Sequence, residues 1–422
     1  MNQMLQSTLL YRKLQKQYSK RINLDLDRIK KVLKKLKNPQ QKLKNPINFI
    51  GSDGKMSVLT SLKFFLEAEN KKITTFTSPH LYDVRHRFWI KDKYISINQI
   101  KKLKKIIERT GYKLTLFELL TAIYILAAKN EKNIQYNLIE SGLLFKKDST
   151  NLWEIPKAQV ITNINYQHQE WVKPRTLKEI CNQKVGYLSK KTTIYVGQQD
   201  KKVLKIIQNI LKKNPSKKIY SSNWKLIRKK NKYFYKDKQY LIFLNIKNVY
   251  SKALISNICL SIKIALDLGV KKETILKTVP KINFEGRIQY LIKGKLRKKL
   301  NKNEKLLIDG CHSIKSAKNL YGYLKTLKEP IYGIWGMKKN KNPNMFIKQF
   351  KGLFKKIILI PIENESASVS SKFLYKIAKK NNYNSEISKN FKDALKKISS
   401  TEKKIICVFG SLYLCGNVLS EN

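Results

Sequence analysis

No apolar run in this 422-residue chain approaches the roughly 18 residues that a membrane-spanning helix needs. The opening stretch MNQMLQSTLLYRKLQKQYSK lacks an apolar segment followed by a cleavage site, so a secretory signal is not expected and a cytoplasmic protein is. Cysteine is sparse. Cys181, Cys259, Cys311, Cys407 and Cys415 form no CxxC pair and no zinc spacing, which fits reduced thiols rather than a disulfide scaffold. Acidic residues are few as well: 29 stand against 88 lysines and arginines, a formal net charge of +59. That surplus raises the nucleic-acid class, but its distribution argues against it. Lysine is spread along the whole chain, arginine is scarce, and aromatics do not interleave with a basic stripe. No RRM, helix-turn-helix or zinc signature appears. We read the charge as lysine-biased composition, of the kind an AT-rich genome produces, and expect no nucleic-acid or membrane partner. The charge still attracts anionic substrates non-specifically.

The length suffices for two domains, each with its own core. Residues 47–51, INFIG, form a short apolar run ending in glycine, and Val58, Leu59, Leu62, Phe65 and Leu66 then recur at helical spacing. Between them lies GSDGKMS (51–57), on a strand-loop-helix turn. That is the context of a phosphate loop, where backbone N–H groups at a helix start and a lysine hold phosphates and a hydroxyl approaches metal. A plain glycine-containing turn is the bland alternative. Residues 114–128 read as a buried helix, YNLIESG and AQVITNI as buried strands, and 251–268 as a further apolar helix. PKINFEGR (280–287) breaks the pattern as a domain junction does. Beyond residue 300, strands at 305–310, 330–336, 355–362 and 403–410 alternate with helical patterns, the rhythm of a small doubly wound domain. The lysine-rich region 200–240 is the least informative. The four histidines, His80, His86, His168 and His312, each sit among polar groups in short segments at strand ends, where open α/β sheets bind ligands.

These segments form a series. LDLDRIKKVLKKLKNPQ (24–40), INFIGSDGKMSV, TSPHL (77–81), TLFELLTA (115–122), LIESGLLFKKDSTN (138–151), ITNINYQHQEW with NQKVGY, FEGR (284–287), LIDGCHS and GSLYLCGNVL (410–419) are collinear. The series resembles the folylpolyglutamate synthase/dihydrofolate synthase family of Mur-type ligases, from about residue 24 to the end. The resemblance implies an α/β protein of two domains: a Mur-ligase-type P-loop ATPase domain over 1–284 and a C-terminal doubly wound, Rossmann-like domain over 285–422. It implies an ATP-dependent amide ligase, acting as a monomer. L-glutamate would be added to dihydropteroate, to (tetrahydro)folate, or to both, through an acyl phosphate.

By the same resemblance Gly51, Gly54, Lys55, Met56 and Ser57 would form the phosphate loop; many members carry Thr at the position of Met56. Asn257, Arg287, Asp309 and His312 would complete the ATP site. Ser78, Glu140 and His168 would ligate Mg²⁺, and Phe117, Glu118, Lys146 and Asp148 would line the pterin site. Lys55, His168 and Lys184 would be the catalytic groups, Lys184 aligning with the lysine that becomes N6-carboxylysine. That modification needs a neutral amine, hence a partly buried lysine near positive charge.

Several positions depart from the pattern. The loop asparagine is Asp53, the GLGGR element has become GLLFK at 142–146, the aspartate before His168 is Gln167, and the glutamate before Lys184 is Gln183. Such changes leave a second reading open, a weakened or inactive nucleotide-binding relative. For a weakened ligase, restoring Gln167→Asp or Lys146→Arg is expected to raise activity.

Overall fold

The computed structural model describes residues 3–18, 23–230 and 232–422; of the opening stretch, residues 1–2 and 19–20 lie outside this description. The chain divides into two compact units, Met1–Lys247 with Leu254–Ile282, and Asn248–Ala253 with Asn283–Asn422. Among the described residues no helix is long and apolar enough to cross a membrane.

The larger unit is built on strands β1 (Pro46–Ile50), β2 (Ile73–Phe76), β3 (Phe88–Lys91), β4 (Lys93–Tyr94), β5 (Tyr136–Glu140), β6 (Ala158–Ile161), β7 (Thr193–Val196) and β8 (Lys217–Ile219). Their spatial order is β4-β3-β2-β5-β1-β6-β7-β8. Strands β2 and β5 to β8 run parallel with β1, and the β3–β4 hairpin adds an antiparallel edge. β1 is buried at every residue because helices cover both faces of the sheet. One face carries two cores side by side, one that includes Leu119, Ile123, Ile100 and Val32 and one that includes Ile180, Val185, Val203 and Ile207; Ile139 of the first and Ile50 of the second point to that same face.

The strand order fixes where a ligand can sit. Strand β1 lies between β5 and β6, with Ile47 opposite both Leu138 and Ala158. The chain leaves β1 toward one side of the sheet and later returns to β6 on the other. The loops after β1, β5 and β6 therefore open around one crevice at the carboxyl ends of the strands. After β1 the chain enters the helix Lys55–Ala68, and Gly54 at its start has φ 91°. A side chain at Gly54 would meet the Asn257 amide at 2.7 Å, so the sharp entry calls for glycine on two counts.

The lysine-rich stretch proves to be ordered: a helix, Lys201–Leu211, precedes β8, and an antiparallel sheet of β9 (Lys225–Lys229), β10 (Lys232–Lys236) and β11 (Leu241–Leu244) follows. The smaller unit holds β12 (Gln289–Tyr290), β13 (Glu304–Asp309), β14 (Ile331–Trp335), β15 (Phe354–Leu359), β16 (Ser385–Ile387) and β17 (Lys404–Phe409), in the order β12-β13-β17-β14-β15-β16. All pairs are parallel except β12–β13. Its core centres on Trp335, Phe346, Phe350 and Phe409.

Candidate active site

The end of β1 and the end of β5 put two charges face to face. Lys55, the first residue of its helix, lies 3.9 Å from the Glu140 carboxylate and 3.4 Å from the Gly51 carbonyl. Glu140 closes β5 and is buried. Its second oxygen accepts the Ser78 backbone N–H at 2.9 Å, which brings the TSPHL loop to the same point. An anion that drew Lys55 toward itself would leave a buried carboxylate without its ammonium, a setting suited to a hard cation with oxygen ligands. His168 stands on the loop after β6 with φ 65°, at the start of a short turn, Gln169–Trp171. Among the described residues, no three His, Cys, Asp or Glu side chains gather as a metal-binding group. The structure thus joins Ser78 and Glu140, and places His168 on the third loop of the crevice.

The helix start is tied inward. Ser57 Oγ donates to the Gly54 carbonyl at 2.9 Å and accepts from Asn257 Nδ2 at 2.8 Å. Met56 occupies the first turn between Lys55 and Ser57. Gly51 has φ 154°, and a side chain there would meet Thr162 Oγ1 at 2.1 Å, so the loop lies directly on the end of β6.

Lys184 is fully buried on the helix Leu177–Val185. Its Nζ donates to the Gly51 carbonyl at 3.0 Å and to the Leu143 carbonyl. It therefore bridges the loops after β1 and β5. Burial first, and the Lys55 charge second, lower its ammonium from 10.5 to about 7. An amine so placed is substantially neutral at physiological pH.

Of the four pterin-site candidates, two meet. A side chain at Gly142 would lie 2.8 Å from the Phe117 ring and 3.0 Å from the Asp148 carboxylate. Asp148 closes its loop by accepting from the N–H groups of Gly142, Leu143 and Thr150 at 2.9, 3.0 and 3.0 Å. Glu118 instead caps its helix: it accepts from Thr115 N at 2.7 Å and pairs with Arg28 at 2.8 Å. Lys146 lies with its ammonium 4.5 Å over the Tyr187 ring.

In the smaller unit, Asp309 ends β13 and is buried, accepting from Ile288 N and Cys311 N, each at 2.8 Å. Desolvation raises its carboxyl above the ordinary range, and the Arg287 charge opposes that rise. Arg287 donates to the Gly286 carbonyl at 3.2 Å, and a side chain at Gly310 would lie 2.7 Å from its guanidinium. His312 Nδ1 is 2.9 Å from the Gly310 carbonyl.

Several contacts escaped the sequence reading. Arg87 donates to His80 Nδ1 at 2.8 Å, and Tyr11 packs edge-on to that imidazole at 4.3 Å. Burial, then the Arg87 charge, hold His80 well below the usual histidine range, so it stays neutral. Ser7 on the helix Gln3–Gln17 donates to Asp83 at 2.6 Å and accepts from Val84 N at 2.9 Å, fastening the same loop. Only the run of polar residues around TSPHL hinted at this. The structure also alters one expectation. Gln167 Nε2 donates to Asp53 at 3.1 Å, so Gln167→Asp alone would set two carboxylates against each other.

Comparison with known proteins agrees with this fold. Residues 292–421 match the family model for the C-terminal domain of dihydrofolate synthetase. Over 430 aligned positions the chain is 25% identical to dihydrofolate synthetase of Saccharomyces cerevisiae, covering 94% of this chain and 97% of that one. The fold resembles Escherichia coli FolC in complex with DHPP and ADP at a TM-score of 0.85, with 19% identity over 100% of this chain and 98% of that one. It also resembles the bifunctional folylpolyglutamate synthase/dihydrofolate synthase of Yersinia pestis complexed with AMPPNP and Mn ion, at 0.83 and 18% over 100% and 99%. The two-domain α/β architecture matches that of these synthases, and residues 292–421 are similar to the C-terminal domain of dihydrofolate synthetase.

Proposed function

We propose that this protein is an ATP-dependent ligase that joins L-glutamate to dihydropteroate, to (tetrahydro)folate, or to both. The observation that carries the reading is the meeting of Lys55, Glu140 and the Ser78 loop at the point where the sheet order reverses. Residues 1–284 would supply ATP binding and catalysis, and 285–422 the ligase domain of Rossmann type.

The chemistry follows from the groups present. A substrate carboxylate oxygen attacks the γ-phosphorus, and the bond to the leaving ADP oxygen breaks. The amine of glutamate then attacks the acyl carbon, a C–N bond forms, the C–O bond to phosphate breaks, and the amine loses a proton. Lys55 and the N–H groups at the start of its helix bind the phosphates and hold the γ-phosphate in line. Gly54 allows the backbone to approach them, and Asn257 keeps the Ser57 hydroxyl oriented. Glu140, Ser78 and His168 would hold a divalent cation, which supplies charge neutralisation at the phosphate oxygens. Phe117 and Asp148, converging on Gly142, would frame the pterin carboxylate partner.

Lys184 as N6-carboxylysine is part of the proposal, supported by its depressed ammonium. A carbamate nitrogen carries one hydrogen, so modification would release either the Gly51 or the Leu143 carbonyl. Intact-mass measurement with and without bicarbonate tests it.

The deciding experiment is phosphate release from ATP in the presence of glutamate, with dihydropteroate and tetrahydrofolate added in turn. Release that requires both glutamate and one pterin supports the ligase. Release that ignores either substrate contradicts it.

A further inference from the structure

We propose that Asp53 and Gln167 form a matched carboxylate–amide clamp that positions the phosphate loop against the loop carrying His168. The inference rests on the ligase reading of this site and deepens it. Asp53 Oδ2 accepts from Asn165 Nδ2 at 2.7 Å and from Gln167 Nε2 at 3.1 Å. Gln167 Nε2 gives its other hydrogen to Asn165 Oδ1 at 2.8 Å. Beneath them the backbone is stitched as well: Ser52 N and Asp53 N both donate to the Asn163 carbonyl, at 2.8 and 3.1 Å. Ser52 Oγ accepts from Asn165 N at 3.1 Å.

The chemistry of the pair is directional. An ionised carboxylate only accepts, and an amide N–H₂ only donates, so each supplies what the other lacks. Gln167 immediately precedes His168, whose φ of 65° is a conformation that needs support from its surroundings. Asp53 lies two residues before Lys55, and its charge opposes the lowering of the Lys184 ammonium by burial and by Lys55. In the motif this chain resembles, position 53 is an amide and position 167 an acid. Here the two have changed sides, and the contact still joins one of each. Two departures that look like separate losses are one compensated exchange.

The test is a cycle of four proteins: wild type, Asp53→Asn, Gln167→Asp and the double exchange. Glutamate- and pterin-dependent phosphate release is measured with kcat and KM for ATP separated. Gln167→Asp is expected to lose about tenfold or more in kcat/KM, a size ordinary for residues in direct contact. Asp53→Asn, which keeps an acceptor oxygen, should lose only a few-fold. Adding Asp53→Asn to Gln167→Asp should recover most of the lost activity. A double variant no better than Gln167→Asp overturns the clamp. Should wild type release no phosphate, the ligase reading fails, and the same cycle is read on the rise in Tm with a non-hydrolysable ATP analogue. Recovery of that rise in the double variant then supports the clamp, and additive losses overturn it.

Discussion

The two units end their central strands in different ways. In the larger unit the groups at the strand ends reach one another across loops: Lys55 to Glu140, Glu140 to the Ser78 loop, Lys184 to the loops after β1 and β5, and Gln167 to Asp53. In the smaller unit Arg287, Asp309 and His312 bond to nearby backbone at residues 286, 288, 310 and 311. Contacts between separate loops, side chain to side chain in Lys55–Glu140 and Gln167–Asp53 and side chain to backbone in Lys184–Gly51 and Glu140–Ser78, couple their members, so loss of one disturbs the rest. Asp309 ties residue 288 to residue 311 around the end of one strand. Chemistry that needs several charges at fixed separations is therefore expected in the larger unit.

The harshest way to break this contrast is Lys55→Ala. It should cut ATP turnover by about 10²–10³ and, because it leaves the buried Glu140 carboxylate without its ammonium, lower the Tm in metal-free buffer while the fold persists; steady-state kinetics and a melting curve check both halves. Next comes Glu140→Gln. The amide can still accept the Ser78 N–H but has no charge, so the divalent-metal requirement should rise about 10–100-fold in a titration of activity against metal, with little change in fold. A smaller effect concerns Lys184 and pH. Its folded value of about 7 lies below the ordinary 10.5, so protonating it costs stability in the folded state. That cost is fully present below about pH 7 and fades as the pH rises toward 10.5, where the unfolded lysine also loses its proton. In bicarbonate-free buffer, wild-type Tm should climb relative to Lys184→Met across that window; parallel curves would mean that Lys184 does not titrate as its burial requires. The mildest change is Asp309→Asn. The amide can accept one of two N–H bonds, so stability should fall by about 1–2 kcal/mol, and KM for ATP should rise a few-fold with kcat nearly unchanged. A kcat loss as large as that of Lys55→Ala would erase the contrast between the units.

How much of this was legible in the sequence depended on whether a signal was local. β13, β14, β15 and β17 were readable because a strand buried on both faces is a continuous apolar run. β12, of two residues, and β16, Ser385–Ile387, are too short and too polar to register. In β9 to β11 one face carries Leu226, Tyr233, Tyr235, Ile242 and Leu244, a strand pattern that was lost in a composition rich in lysine throughout. Lys55, Ser78 and Glu140 emerged from motif order along the chain. The contact of Asp53 with Gln167 could not, because 114 positions separate them and only the fold brings β1 and β6 together. Glu118 shows the opposite case: a TxxE element before an apolar helix is a capping box by its own local chemistry, and the structure uses it so.

The central claim is that the larger unit activates a carboxylate as an acyl phosphate. The direct test uses dihydropteroate, or tetrahydrofolate if that is the substrate used, with heavy oxygen in the reacting carboxylate. Mass spectrometry then follows the label after turnover with ATP and glutamate. The account predicts one labelled oxygen in each released phosphate and one in the new amide carbonyl. Phosphate free of label, with turnover otherwise complete, would contradict it.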